Sequence, residues 1–375
     1  MAEGADFGGW IWFFGGGVVI LWEIMAKKEK KKDKKGQGGR MGVGRLWIAI
    51  SLLVVIGLCG VFAFAPGGGK GEAWLYFKTG SLNSSAVKDS LCTKLGRGMG
   101  IRTYILWRVI GGDTARVRGA FRVGGSDTPF GLARRLKNGR QTPVNLTFNN
   151  ARTLDDLAAK ISAQMDFSAQ DFLGAVDSVL RPKGFKRSEY PAMFIPDTYN
   201  VYATSSARKV VERLVKDRDK FWTAERISKA QRRGLTAIEV ATLASIVEEE
   251  TSRREEHPTI AGLYLNRLKK GMKLQADPTV KFATGNFAAR RIKGEMLRTP
   301  SPYNTYMNAG LPPGPIRVAD KRTLEAVLNA PEHDYLYMCA SYDFSGKHLF
   351  ASDYATHQRN ARLYQEALDK RGIDK

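Results

Sequence analysis

Leu46 to Phe64 reads LWIAISLLVVIGLCGVFAF, nineteen residues without a charge. That is enough helix to cross a hydrocarbon core of about 30 Å. Beyond it the pattern shortens and alternates. Ala73 to Lys78 is β-rich, Ser85 to Leu95 carries Val87, Leu91 and Leu95 on one helical side, and Arg116 to Val123 returns as a strand. Asp127 predicts the cap of a helix through Leu136 that Gly139 stops, and Pro143 to Phe148 predicts a third strand. From Thr153 onward helices dominate, broken by the aromatic, proline-containing loop Phe194 to Tyr202. Two later stretches, Leu274 to Val280 and Ser301 to Ile316, are rich in tyrosines, amides, hydroxyls, prolines and glycines. Such rigid turns suit a polyhydroxylated ligand and equally suit a purely structural loop set. A helix from Lys321, strands at 335–340 and 347–351, and a helix from Asp353 close the chain.

The most informative periodicity lies in Thr236 to Thr251. Thr236 and Glu239 have the spacing of a capping box, in which hydroxyl and carboxylate each satisfy an orphan backbone donor. Val240, Leu243, Ile246 and Val247 form one apolar stripe. Of the three glutamates that follow, Glu250 continues the stripe, whereas Glu248 and Glu249 project well away from it. A carboxyl on the core side of a helix is costly unless it is paired or kept protonated. Glu250 therefore either meets an arginine, or sits at the margin of the core, or is a general acid with a raised pKa.

Charge adds a topology. The formal net charge is +22, and nine basic residues fall between Ala26 and Arg45, directly before the apolar span. Such a flank marks the cytoplasmic side, so the bulk of the chain is expected on the far side. The span exceeds a signal-peptide core, which favours an uncleaved anchor although Ala63-Phe64-Ala65 loosely resembles a cleavage site. Residues 9–25 read as a second span or as a segment lying in the interface, and Met41 is a candidate downstream start. After residue 64 the charge is still +18, but that topology keeps it from nucleic acid and points to anionic headgroups and carboxylates. Cys59, Cys92 and Cys339 make a poor disulfide framework, and no Cys or His spacing fits a metal site, so no cofactor or metal is expected.

Several motifs in one order resemble the endolytic murein transglycosylase (YceG-like) family. They are Phe194-Ile-Pro-Asp-Thr-Tyr199, Leu243 to Thr251, Ala261 to Leu268, Gly271 to Val280, Ser301-Pro-Tyr-Asn-Thr-Tyr306, Gly310 to Ile316 and the Asp334-Tyr-Leu-Tyr strand. The resemblance implies an α+β fold: an amino-terminal transmembrane anchor, a small LysM-like β-α-β module, then a mixed helical and sheet catalytic domain. The boundaries expected are a membrane region over 1–64 (basic loop 26–45, span 46–64), an α/β region over 72–148 with its module near 100–148, and the catalytic domain over 153–375. It implies cleavage of the MurNAc-GlcNAc β-1,4 bond within glycan strands, leaving 1,6-anhydro ends and terminating strand growth near the membrane. Glu250 is the residue that aligns with the catalytic glutamate. Gln275, Asp277, Tyr303, Asn304 and Thr305 are placed around the sugars, with Asp277 alternatively orienting its loop. Partners implied are peptidoglycan strands, the bacterial cytoplasmic membrane (catalytic domain outside) and peptidoglycan synthases. Ala276 stands where threonine is usual and Glu249 where lysine is usual, and the added charge at Glu249 is expected to raise the pKa of Glu250. The rival readings are an inactive binding scaffold and a two-carboxylate muramidase using Glu248 or Asp277.

Overall fold

The computed structural model describes residues 43–67, 71–78, 82–289, 292 and 294–371. The chain divides into two compact units, 1–65 and 66–375. In the first, helix α1 (Val43–Phe64) is long and apolar enough to cross a membrane and begins three residues before the run at Leu46. Residues 9–25 and most of the basic loop lie outside the described residues.

The second unit opens with two units of the same order, strand-helix-helix-strand. In the first, β1 (Ala73–Phe77) and β2 (Gly119–Val123) pair antiparallel, Ala73 opposite Val123, with α2 (Ser84–Leu95) and α3 (Arg97–Val109) between them in sequence. Helix α4 (Pro129–Lys137) follows, capped by Thr128 rather than by the expected Asp127. In the second, β3 (Val144–Phe148) pairs antiparallel with β4 (Asp197–Val201), with α5 (Leu154–Ser162) and α6 (Ala169–Leu180) between.

This corrects the expected organisation twice. Helix α3 has no counterpart in the expected order of elements; Gly96, Gly98 and Gly100 lower the helix propensity at its start. Gly100 is required there for close approach: a Cβ would lie 2.6 Å from the backbone of Cys92 in α2. The strand, helix and strand read near 100–148 are present in that order, but β2 and β3 belong to different two-stranded sheets. Since β3 pairs with β4, the division expected between 148 and 153 falls inside the second strand-helix-helix-strand unit.

The remaining elements are α7 (Ala207–Phe221), α8 (Ala224–Arg232), α9 (Ala237–Glu250), α10 (His257–Lys269), α11 (Asp277–Thr284), α12 (Lys321–Leu328), the hairpin β5 (Tyr337–Ala340)/β6 (His348–Ala351) and α13 (Tyr354–Lys370). Helix α9 starts at the anticipated capping box, with Thr236 N–H donating to Glu239 at 2.8 Å and Glu239 N–H to Thr236 Oγ1 at 3.2 Å. Its stripe packs on Ile260, Ala261 and Leu263 of α10 and on Leu324, Val327 and Leu328 of α12. Each of Val240, Leu243, Ile246 and Val247 is fully buried, worth about 1.5–3 kcal/mol apiece.

Burial exceeds a stripe, however: every residue from Val240 to Val247 is buried. Small side chains allow the surrounding chain to come in on the polar side. Ser245 Oγ donates to Thr242 O at 2.6 Å and accepts from Ile316 N–H at 3.0 Å, so even the hydroxyls are satisfied. The loop that carries Ile316 is seated by Gly314, whose Cβ, if present, would lie 1.9 Å from the carbonyl oxygen of Ser188. Gly314→Ala is expected to cost about 1–3 kcal/mol through the forced backbone shift, read as a lower urea midpoint.

Candidate active site

Glu250 is the last residue of α9; Thr251 turns to extended backbone and the helix stops. Tyr264, on the adjoining face of α10, is 2% exposed and donates its hydroxyl to Glu250 Oε1 at 2.5 Å. Burial pushes the Glu250 carboxyl up to about 7. The Tyr264 hydrogen bond opposes that rise, the charge of Asp277 adds to it, and Lys281 and Arg267 pull it down more weakly. Burial, and then the Glu250 carboxylate, hold the Tyr264 hydroxyl well above its usual range, so tyrosine is the donor of this pair. Among the described residues no lysine, arginine or histidine forms an ion pair with Glu250.

The two preceding glutamates take the arginines instead. Arg317, 8% exposed, reaches Glu248 at 3.1 Å through Nη2 and Glu249 at 2.6 Å through Nη1. Arg152 holds the other side of Glu249 at 3.0 Å, and Asp320 N–H donates to Glu248 Oε2 at 2.9 Å. The run of three acids thus splits into two anchors that bind the end of α9 to 152 and 317–320, and one carboxyl left to a tyrosine. The expected influence of Glu249 on Glu250 is replaced by that of Asp277, because Glu249 is already neutralised by two guanidinium groups.

A loop wall is knitted beside this carboxyl. Arg267, one turn beyond Tyr264 on α10, donates to Leu336 O at 2.6 Å and Leu274 O at 2.8 Å, which fixes the segment entering α11. Gln275 has φ +50, a left-handed conformation uncommon for a side chain of this kind, and its N–H donates to Thr305 O at 3.2 Å. Thr305 Oγ1 accepts from Ala276 N–H at 3.0 Å and lies 2.8 Å from the Thr279 hydroxyl. Asn304 donates through Nδ2 to Leu297 O and Thr299 O, each at 3.0 Å, and its Oδ1 accepts from Tyr306 N–H at 3.0 Å. Tyr303 packs its ring on Phe282, centroids 4.8 Å apart. Asp277 accepts the Tyr306 hydroxyl at 2.6 Å.

Of the five residues placed around a sugar, Gln275 and Asp277 are exposed, Tyr303 is partly buried, and Asn304 and Thr305 are fully buried with their polar atoms committed to the loop. Tyr264, Arg267 and Tyr306 were missed. Their signal lay in spacing: Tyr264 and Arg267 are three apart and share a helix face, within one of the motifs already singled out. Cavity size does not mark the site. A recess of about 50 Å³ adjoins it, between Arg152, Glu249, Lys281, Phe282 and Phe287. A cleft of about 1230 Å³ lies instead along the first half of α9 and the middle of α10, lined by Thr236, Glu239, Thr242, Gly262 and Asn266 and not by Glu250.

A carboxyl raised toward neutrality, beside a polar loop wall and with a tyrosine as its partner, has the features of an acid–base group rather than of a structural ion pair. The chain belongs to the YceG-like family, which it matches over residues 89–363. It is 28% identical over 237 residues to the endolytic murein transglycosylase of Bacillus subtilis, covering 58% of this chain and 64% of that one. It is likewise 28% identical over 265 residues to the protein of that name from Streptococcus pneumoniae (strain D39), covering 63% of this chain and 46% of the relative. The chain thus spans less than two thirds of the curated relatives it matches. A solved yceG-like protein from Listeria monocytogenes superposes with a TM-score of 0.53 at 25% identity, over 78% of this chain and 99% of that one.

Proposed function

We propose that this protein is an endolytic peptidoglycan lytic transglycosylase in which Glu250 acts alone, first as acid and then as base. The observation that carries the reading is the carboxyl held near 7 with a tyrosine, and not an arginine, as its partner. Protonated Glu250 donates to the glycosidic oxygen as charge develops toward an oxocarbenium-like state. The carboxylate so formed takes the proton of the muramic C6 hydroxyl, whose oxygen attacks C1 of the same sugar and closes the 1,6-anhydro ring. The bond to the leaving GlcNAc breaks and no water is consumed. Intramolecular attack needs no activated nucleophile, which is why one carboxyl suffices. The Tyr264 hydrogen bond orients the carboxyl and stabilises it after proton donation.

In this reading α1 is the anchor in the cytoplasmic membrane, residues 26–45 face the cytoplasm, and the second unit lies outside, where growing strands and their synthases are. The LysM-like role expected within 72–148 is assigned to the β1–β2 unit as a glycan contact. Gln275, Asp277 and Tyr303 line the sugar path, while Asn304 and Thr305 position that wall.

Purified full chain incubated with glycan strands tests this by mass analysis of the ends. Anhydro ends are expected. Reducing ends would make it a hydrolase with Asp277 as second acid, and intact strands would make it a scaffold. The pH profile is also specified. The acid must be protonated, so activity should fall as pH rises through about 7. Because the Tyr264 bond lowers the pKa of Glu250, Tyr264→Phe should move that basic limb to higher pH and slow the optimum about tenfold, for loss of one charge-assisted hydrogen bond.

A further inference from the structure

The exposed side of α3 is not accounted for by glycan cleavage. Met99, Gly100, Thr103, Leu106 and Trp107 are buried against the module, whereas Ile105 is 42% exposed and Val109 68%. At 100° per residue the outward direction falls between Ile101, which is partly buried, and Ile105, with Val109 about 60° to one side. Exposed Arg97 and Arg108 edge it on the other side, whereas Arg102, beyond Val109, is partly buried and donates Nε to Gly98 O at 3.3 Å. An apolar centre beside guanidinium groups on long stems is how a helix lies in a headgroup layer: the apolar side chains enter, and the arginines reach back to phosphates.

Two features of the chain select the occupant. Residues 66–123 carry ten basic and three acidic residues, a net of +7, which suits an anionic surface. This stretch also follows α1 after a linker, 66–72, that extends at most about 25 Å, so a bilayer holding α1 is always within reach. We infer that the outward face of α3 docks on the anionic phospholipid surface of the membrane that holds α1. The inference rests on α1 being a membrane span and not on the chemistry at Glu250.

The test uses full chain reconstituted in nanodiscs containing phosphatidylglycerol, with the photoreactive residue benzoylphenylalanine substituted at Val109 or, as the control, at exposed Glu366 of α13. Ultraviolet cross-linking should give a phospholipid adduct at position 109 and not at 366. Arg97→Glu with Arg108→Glu should reduce the adduct at 109 at least severalfold without changing the circular dichroism, and so should replacing the anionic lipid by phosphatidylcholine. Equal adducts at both positions, an adduct indifferent to the charge reversals and to the lipid, or adducts at 109 to protein or added glycan only, would each overturn the proposal. Glycan cleavage plays no part in the readout, so failure here leaves the assignment of Glu250 standing.

Discussion

Glu250→Gln is expected to lower glycan cleavage by at least about a thousandfold while leaving the fold intact. The amide keeps the size of the carboxyl and can still accept the Tyr264 hydroxyl, but it has no proton to give and cannot take one back. Stability should move the other way from activity. The carboxyl is raised from 4.5 to about 7 in the folded state, so the native protein binds its proton more tightly than the unfolded chain does. Ionising it in place costs on the order of 3 kcal/mol. That cost is absent below pH 4.5, grows as pH rises and is complete above about 7. Glu250→Gln should therefore match the parent in thermal unfolding at pH 5 and exceed it at pH 8. A variant that lost activity by unfolding would melt earlier at both. Glu248→Gln is the companion control: its carboxyl faces Arg317 and the Asp320 N–H, so most activity should remain.

Removing Arg317 should be the largest stability change. Arg317→Leu leaves Glu248 without its ion pair and Glu249 with only Arg152, and unpaired acids this enclosed cost about 3–5 kcal/mol. The carboxyl of Glu248 is already held above its usual range by burial, with Arg317 pulling it down, so losing the arginine raises it further. A carboxyl whose folded pKa lies above its unfolded one destabilises the native state once both states are ionised. The defect should therefore be largest at neutral pH and shrink toward pH 5, in urea titrations at each pH. Adding Glu248→Gln and Glu249→Gln should recover part of the loss, since the buried charges then go with their partner.

How much of this was legible depended on whether a local pattern determined the outcome. Thr236 and Glu239 announced where α9 begins because a capping box is complete within four residues. Helical phase also separated Glu250 from Glu248 and Glu249. It could not say which of them meets an arginine: Arg152 and Arg317 lie 97 and 68 residues from Glu249. For the same reason β3 was read with its neighbour in sequence rather than with β4, about fifty residues on. Helix α3 was hidden by the glycines that let it pack on α2. Asn304 and Thr305 show the limit of composition: amides and hydroxyls suit a sugar, yet here they close the loop on itself.

In the proposed reaction one carboxyl serves both steps and no water enters the product. This is tested most directly by digesting glycan strands with purified full chain in oxygen-18 water and weighing the new muramic ends. The expected ends are lighter by one water than a reducing end and free of oxygen-18. Reducing ends carrying one oxygen-18 would contradict it, since water would then have been the nucleophile and a second carboxylate would have to activate it.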